Sequence, residues 1–128
     1  TLRRSSAASD VYKRQIPVWG GAFRPVAIER VCRLMDGFFP RMPLDDKTEG
    51  RMERIWAYLQ DFGRSPESFG IDATVYCKGN DVEQWVRDAE RWKSLGATHI
   101  SIQTTAQGYG SWQQHIEAIQ QFKEALGA

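Results

Sequence analysis

The sequence predicts an α/β protein in which strand–helix units follow one another along the chain. Short apolar segments that fit strands alternate with longer segments whose apolar residues recur at helical spacing. Glycine or proline separates most of these segments, as is common where helices and strands end. Strands that alternate with helices of this size indicate parallel strands joined by right-handed crossovers.

The first unit is predicted to start with a strand at residues 16–19, which Gly20 and Gly21 close in a tight turn. A helix follows, with Pro25 at its first position, where the missing N–H costs nothing. The residues expected to be buried lie on one side of this helix and are Ala27, Val31, Leu34 and Met35.

The second unit has a brief strand at residues 37–39, closed by Pro40. Asp45 or Asp46 is expected to cap the next helix. That helix has the clearest apolar stripe in the chain, and Gly63 ends it. The stripe comprises Met52, Ile55, Trp56, Leu59 and Phe62.

The third unit begins with a strand at residues 71–77, in which apolar and polar residues alternate. Asp81 and Gln84 resemble a capping box at the start of the next helix, and Gly96 suits its C-terminal end. The stripe of this helix comprises Val82, Trp85, Val86, Ala89 and Trp92.

The fourth unit has a strand at residues 99–103. Ser111 is a good N-cap for the last helix. The apolar residues predicted to line that helix are Ile116, Ile119, Phe122 and Leu126.

Polar residues in the third and fourth strands favour a barrel over an open, doubly wound sheet. Apolar helices cover both faces of a doubly wound sheet and would accommodate polar strand residues poorly, whereas the inward face of a barrel can be polar near a site. The polar strand residues are Asp72, Thr74, His99 and Ser101.

Composition excludes several classes of protein. The chain carries 17 Lys and Arg against 16 Asp and Glu, so no net field attracts nucleic acid or an anionic membrane. No apolar run approaches the roughly 20 residues that cross a bilayer, and no secretory signal is recognisable. Cys32 and Cys77 make neither a disulfide framework nor a metal-ligand pair. These features predict a reduced, cytoplasmic protein.

Residues 1–15 show neither helical nor strand periodicity, and their segment SSAASDVYKRQ resembles the in-frame translation of a sequencing adaptor. We therefore expect a non-native, disordered leader at residues 1–15 and one domain at residues 16–128. A native disordered tail with a basic patch is the alternative.

Four segments in a fixed order carry a family resemblance. They read IPVWGGAFRP, MDGFFPRMP, GRSPESFGID and LGATHISIQT. The set resembles the C-terminal part of flavin-dependent oxidoreductases and monooxygenases of the bacterial-luciferase-like family, from residue 16 to about residue 126. The resemblance implies the last four strand–helix units of a (β/α)8 TIM barrel, a half-barrel fragment of a longer parent enzyme. A homodimer is one expected state of that parent.

The loop after the first strand is the best candidate for a binding site. A glycine-ended strand that leads into a helix exposes backbone N–H groups where the helix dipole favours an anion, although a purely steric tight turn is the alternative. The resemblance implies that this loop holds the phosphate of FMN or a deazaflavin, with Arg24 as a charge-assisted partner. The loop residues are Gly20, Gly21, Ala22, Phe23 and Arg24.

Other candidates lie where the second and fourth strands end, at the expected pocket mouth, within reach of cofactor or substrate. They are Phe39, Arg41, Met42, Gln103 and Thr104. Core packing is the alternative for Phe39, and a solvated loop position is the alternative for Arg41 and Met42. His99 is expected to be a hydrogen-bonded structural residue and His115 to be exposed. No residue pattern identifies a metal site or a catalytic residue.

The predicted function is that of an oxidoreductase which uses reduced flavin to activate oxygen or to transfer hydride to or from a small organic substrate. The fragment alone is expected to be inactive, with two free strand edges and exposed apolar surface, and therefore to aggregate or to pair as half-barrels. A small autonomous α/β phosphate- or nucleotide-binding module without redox chemistry is the alternative, and it would fold alone around a closed core. Nothing in the sequence favours a third hypothesis, that of a pseudoenzyme or an interaction domain.

Overall fold

Four parallel strands form one sheet, and each strand is followed by a helix. The computed structural model describes residues 16–127, so the predicted leader at residues 1–15 lies outside the described residues. The strands are β1 (Trp19–Ala22), β2 (Gly37–Pro40), β3 (Gly70–Tyr76) and β4 (His99–Gln103). The helices are α1 (Pro25–Leu34), α2 (Thr48–Asp61), α3 (Val82–Ser94) and α4 (Trp112–Ala125), and a short 3-10 turn (Pro66–Ser68) precedes β3. The predicted alternation of strands and helices is confirmed.

The strand order is β1-β2-β3-β4, so the strands lie side by side in chain order. In register, Phe38 pairs with Ile71 and Ala73 pairs with Ile100. Register neighbours point to the same side of a sheet. These apolar residues are buried or half-buried, so the helices cover this face.

The opposite side of the sheet, which we call the uncovered face, carries side chains that are exposed or half-buried. It comprises Trp19, Gly21, Phe39, Asp72, Thr74, Tyr76, His99, Ser101 and Gln103. A doubly wound sheet would have helices on both faces, and the described residues place them on one. Helices on one face are the arrangement of a barrel wall and also of an open, singly wound sheet.

The core lies between the sheet and the helices, where α2 and α3 bury most of their predicted stripes. Trp85, Ala89 and Trp92 are buried on α3, and Met52, Ile55 and Leu59 are buried on α2. Glycines with positive φ follow both helices, Gly63 at 65° and Gly96 at 105°. These two helix ends are as predicted.

Two of the predicted N-caps are confirmed, and the prediction for a third, at the start of α2, is wrong. The side chains of Asp81 and Ser111 accept hydrogen bonds from the backbone N–H groups three residues later, at 3.2 and 3.4 Å. Asp45 and Asp46 do not cap α2, whose N-cap position is Lys47. Instead the buried Thr48 hydroxyl donates to the Pro43 carbonyl at 3.0 Å and organises the preceding turn.

The predicted first strand is wrong by three residues. β1 begins at Trp19, and Gly20 and Gly21 lie within the strand rather than in a turn after it. A β-carbon on Gly20 would collide with Met35 and touch Val31 at 3.0 Å. Glycine therefore stands here because the first helix approaches the strand backbone closely.

The predicted stripes of α1 and α4 are partly wrong. On α1, Val31 is buried as predicted, and Ala27 and Met35 are half-buried against the core. Leu34 is 69% exposed, whereas Ile28 and Cys32 are buried and were not predicted. On α4, Phe122 is buried as predicted, but Ala118 is the other buried residue. Ile116, Ile119 and Leu126 are all exposed. Both helices carry apolar residues on more than one side, so periodicity alone selected the wrong side.

Candidate functional site

The carboxyl ends of the four strands meet at one edge of the sheet, which we call the carboxyl edge. Parallel α/β proteins bind their ligands at this edge because the loops and helix N-termini that follow the strands converge there. All ten predicted site residues lie in the strand ends or following loops. The edge divides into a corner at β1 and β2 and a corner at β3 and β4.

Three predicted residues meet at the first corner. Gly21 pairs in register with Phe39 on the uncovered face. A β-carbon on Gly21 would lie 3.6 Å from Cγ of Arg41 and 3.8 Å from Cβ of Phe39. The aliphatic stem of Arg41 therefore lies against the β1 backbone at Gly21, near the β-carbon of Phe39. Among the described residues, the one ion pair joins Arg51 and Asp45, so the exposed Arg41 guanidinium has no ion-pair partner in this part of the chain.

The N-terminus of α1 lies beside this corner and presents unused donors. Arg24 occupies the N-cap position, extended and without a side-chain capping bond, and Pro25 follows at the first helical position. The N–H groups of Val26 and Ala27 consequently have no side-chain acceptor, and the helix dipole adds partial positive charge. Gly20 and Gly21 lie too early in the chain to supply these donors, contrary to prediction.

A cavity of about 210 Å³ opens at the same helix end. It is lined by Phe23, Pro25, Ile28, Met42, Arg51 and Arg54. Phe23 and Met42 were predicted, whereas the two arginines were missed. Their position in the first turns of a helix that follows a strand could have revealed them, because those turns lie at the carboxyl edge.

The Arg51 side chain in this cavity lacks part of its hydrogen bonding. Its Nη1 atom lies 3.6 Å from Oδ1 of Asp45, a distance that allows an ion pair but not a hydrogen bond. This nitrogen is buried and has no hydrogen-bond partner among the described residues. An acceptor on a bound ligand would remove the free-energy cost of leaving this buried donor unpaired.

At the second corner, the predicted residues Gln103 and Thr104 have different surroundings from those at the first corner. Gln103 pairs in register with Tyr76, whose side chain is half exposed on the uncovered face and was missed. The Thr104 hydroxyl lies 2.8 Å from Nδ1 of His115. His115 is half-buried rather than exposed as predicted, with its ring edge-on to Tyr109 at 5.2 Å. Thr104 therefore has a structural partner, and the Gln103 amide nitrogen makes only a long hydrogen bond, at 3.5 Å, to the Thr105 carbonyl.

Further along the uncovered face, the Ser101 hydroxyl lies 2.9 and 2.8 Å from the two carboxylate oxygens of Asp72. His99, nearer the strand starts, has its Nδ1 atom 2.8 Å from the Thr98 hydroxyl and its ring edge-on to Trp19 at 5.2 Å. The predicted hydrogen-bonded histidine is confirmed. The pairing of Asp72 with Ser101 was missed, although the polar alternation of both strands indicated one shared polar face.

The cysteines contribute no reactive group here, and three other cavities of the described residues contain none of the predicted site residues. Burial raises the pKa of the Cys32 thiol from 9.0 to about 11, and burial also raises the pKa of Cys77. Both thiols are therefore neutral and poor nucleophiles at neutral pH. A larger cavity of about 570 Å³ lies between the loop that follows β3 and α4, and none of the predicted site residues lines it. Residues 16–127 contain no cluster of three or more side chains suited to hold a metal ion.

Comparisons with known proteins neither support nor oppose the family resemblance. A scan against protein-family models and a search of curated proteins each found no match to this chain. None of the helices in the described part of the chain combines the length and apolar character that crossing a bilayer requires.

Proposed function

We propose that this chain is the C-terminal half of a luciferase-like, flavin-dependent (β/α)8 oxidoreductase or monooxygenase. The four ordered sequence segments support this family proposal. The chain-order sheet with helices on one face agrees with the wall of such a barrel. When bound, reduced FMN or a deazaflavin would supply hydride or activate oxygen toward a small organic substrate.

The first corner would hold the phosphate of the flavin. The observation that carries this proposal is the Arg41 side chain: its stem lies against Gly21 near Phe39, and its guanidinium has no ion-pair partner among residues 16–127. The uncapped N–H groups of α1 and the arginines of the 210 Å³ cavity add donors near the same corner. Such a donor set suits a dianionic phosphate, because charge-assisted hydrogen bonds are the strong ones.

The uncovered face would then lie beneath the ring and the substrate. Phe39, Tyr76 and Gln103 offer aromatic surface and an amide at its carboxyl end. These residues would orient the ring and exclude water from one side. An autonomous phosphate-binding module would close its core on both sides of the sheet, so the uncovered face favours the fragment proposal.

Phosphate recognition can be tested by titrating the full chain into FMN and into riboflavin, which lacks the phosphate, and following flavin fluorescence anisotropy. We expect FMN to bind about tenfold more tightly or better, since one charge-assisted contact contributes roughly 1.4 kcal/mol or more. Arg41→Gln should abolish most of this preference while leaving riboflavin binding unchanged.

Arg87→Gln is the matched control, because Arg87 lies on the surface of α3 and donates to Gln84. This variant should keep the preference for FMN. Equal affinity of the native chain for FMN and riboflavin, or no binding of either at millimolar concentration, would refute the proposed phosphate site.

A further inference from the structure

The two outer edges of the sheet lack partner strands among the described residues. β1 and β4 are the first and last strands of the sheet, and each is paired on one side only. Unpaired N–H and C=O groups along a strand edge favour the addition of another strand. Because the sheet is all parallel, a strand added to continue its pattern must run in the same direction.

We propose that the two free edges and the uncovered face form an interface between two copies of this chain, which close into one eight-stranded barrel. A two-fold axis parallel to the strands would place β4 of each copy beside β1 of the other, with all strands parallel. Both free edges would be satisfied at once, and all helices would remain outside. This inference rests on the sheet geometry and not on the proposed flavin site. It concerns the present chain, because in the proposed parent enzyme the other half of the barrel would take the place of the second copy.

The uncovered face carries enough bulk to fill such an interior. Side chains just fill the inside of an eight-stranded barrel. Trp19, Phe39 and Tyr76 supply large aromatic groups on this face, and the indole of Trp19 extends across Gly37 and Gly70. Closure would bury these aromatic surfaces, which at present contact water.

The outermost helices are complementary to each other. In the closed barrel, α4 of one copy would lie beside α1 of the other. Trp112, Ile116 and Ile119 form an exposed apolar stripe on α4 with spacings of four and three residues, and Val26 is exposed on α1. The residual charges have opposite sign: α1 carries Arg30 and Arg33 against Glu29, and α4 carries Glu117 and Glu124 against Lys123.

The two-fold arrangement also has a specific electrostatic consequence. Strands that face each other across the barrel are copies of the same strand, so two Asp72 carboxylates would enter one interior. Like charges in a low-dielectric interior repel, which opposes association. Asp72→Asn removes this repulsion and retains an oxygen that can accept from Ser101.

Sedimentation velocity of the full chain between about 1 and 100 µM tests the proposal. We expect a discrete dimer whose dissociation constant falls at least about fivefold in Asp72→Asn, in line with removal of a like-charge contact. The double variant Ile116→Asp, Ile119→Asp should raise the dissociation constant more than about tenfold, because charges would enter the contact between α4 and α1.

Ala57→Asp is the matched control, since Ala57 is exposed on α2, away from the closing helices. It should leave the dissociation constant unchanged, and circular dichroism should show native helix content in every variant. A monomer at all concentrations, a series of open-ended oligomers, a dimer indifferent to the double α4 variant, or weaker association of Asp72→Asn would each overturn the proposal.

Discussion

The indole of Trp19 packs against the backbone of Gly70, two strands away across the sheet. A β-carbon on Gly70 would fall well under 3.0 Å from the ring, and the same is true of Gly37 on the strand between them. The ring then meets His99 edge-on at 5.2 Å. One tryptophan thus contacts all four strands at the amino-terminal part of the uncovered face, and two glycines make room for it.

Gly70→Ala should therefore destabilise the chain by about 1–3 kcal/mol, the usual cost of overpacking. Urea unfolding monitored by circular dichroism measures the change. Trp19→Leu in the same background should recover at least about 1 kcal/mol of it, because the two residues are in direct contact. Gly50→Ala is the control: Gly50 is exposed in α2 with open space around it, so alanine should stabilise by about 0.5–1 kcal/mol. Equal effects of the two alanine substitutions would contradict the contact.

Arg64 should matter for stability rather than for ligand binding. Its Nη1 atom donates to the carbonyls of Cys32 and Met35, at 2.7 and 2.6 Å, where α1 ends. Its guanidinium also lies 5.4 Å from the centre of the Phe69 ring. Arg64→Lys should cost about 1–3 kcal/mol, because lysine cannot reproduce the planar contact and leaves carbonyls without a donor.

Thermal or urea unfolding checks this expectation, with Arg87→Lys as a surface control expected to change stability by less than about 0.5 kcal/mol. If the Arg64 variant instead unfolds like the native chain while its affinity for FMN drops, Arg64 is a ligand contact and the structural assignment is wrong.

The buried Cys32 thiol should make stability fall at alkaline pH. An unfolded thiol loses its proton near its ordinary pKa of 9.0, whereas burial raises the folded pKa to about 11. Between these values the folded state binds more protons, so the free energy of unfolding decreases as pH rises, by at most about 1.4 kcal/mol per pH unit. Below pH 9 this contribution is fully present.

Other groups titrate in the same range, so the test is a comparison with Cys32→Ala. Urea unfolding at pH 8, 9, 10 and 11 should show a steeper decline for the native chain than for the variant. Parallel pH profiles would show that this thiol does not remain protonated in the folded state.

Local sequence patterns were sufficient to predict most of the secondary structure. β3 and β4 alternate in side-chain character with period two, and α2 and α3 have single apolar stripes. Such signals arise within one element and need no knowledge of its neighbours. β1 was misplaced because its glycines resemble a turn locally, and only the approach of Met35 shows why glycine stands inside the strand.

The candidate site was predictable in part, for the same reason. Phe39, Arg41 and Gln103 follow from their positions at strand ends, where ligands of parallel sheets bind. The contact of Arg41 with Gly21 and the cavity arginines depend on how two units pack, and no pattern within one unit encodes that packing.

By itself, the sequence determined that strands and helices alternate, that the strands run parallel and where most helices begin and end, because spacing, caps and glycines act over a few residues. Tertiary structure alone decided which sides of α1 and α4 are buried, that the glycines of β1 lie within the strand, and that Trp19 spans the sheet over two glycines. Those outcomes depend on register and close approach between segments far apart in the chain, and a side chain's own neighbours in sequence carry no information about them.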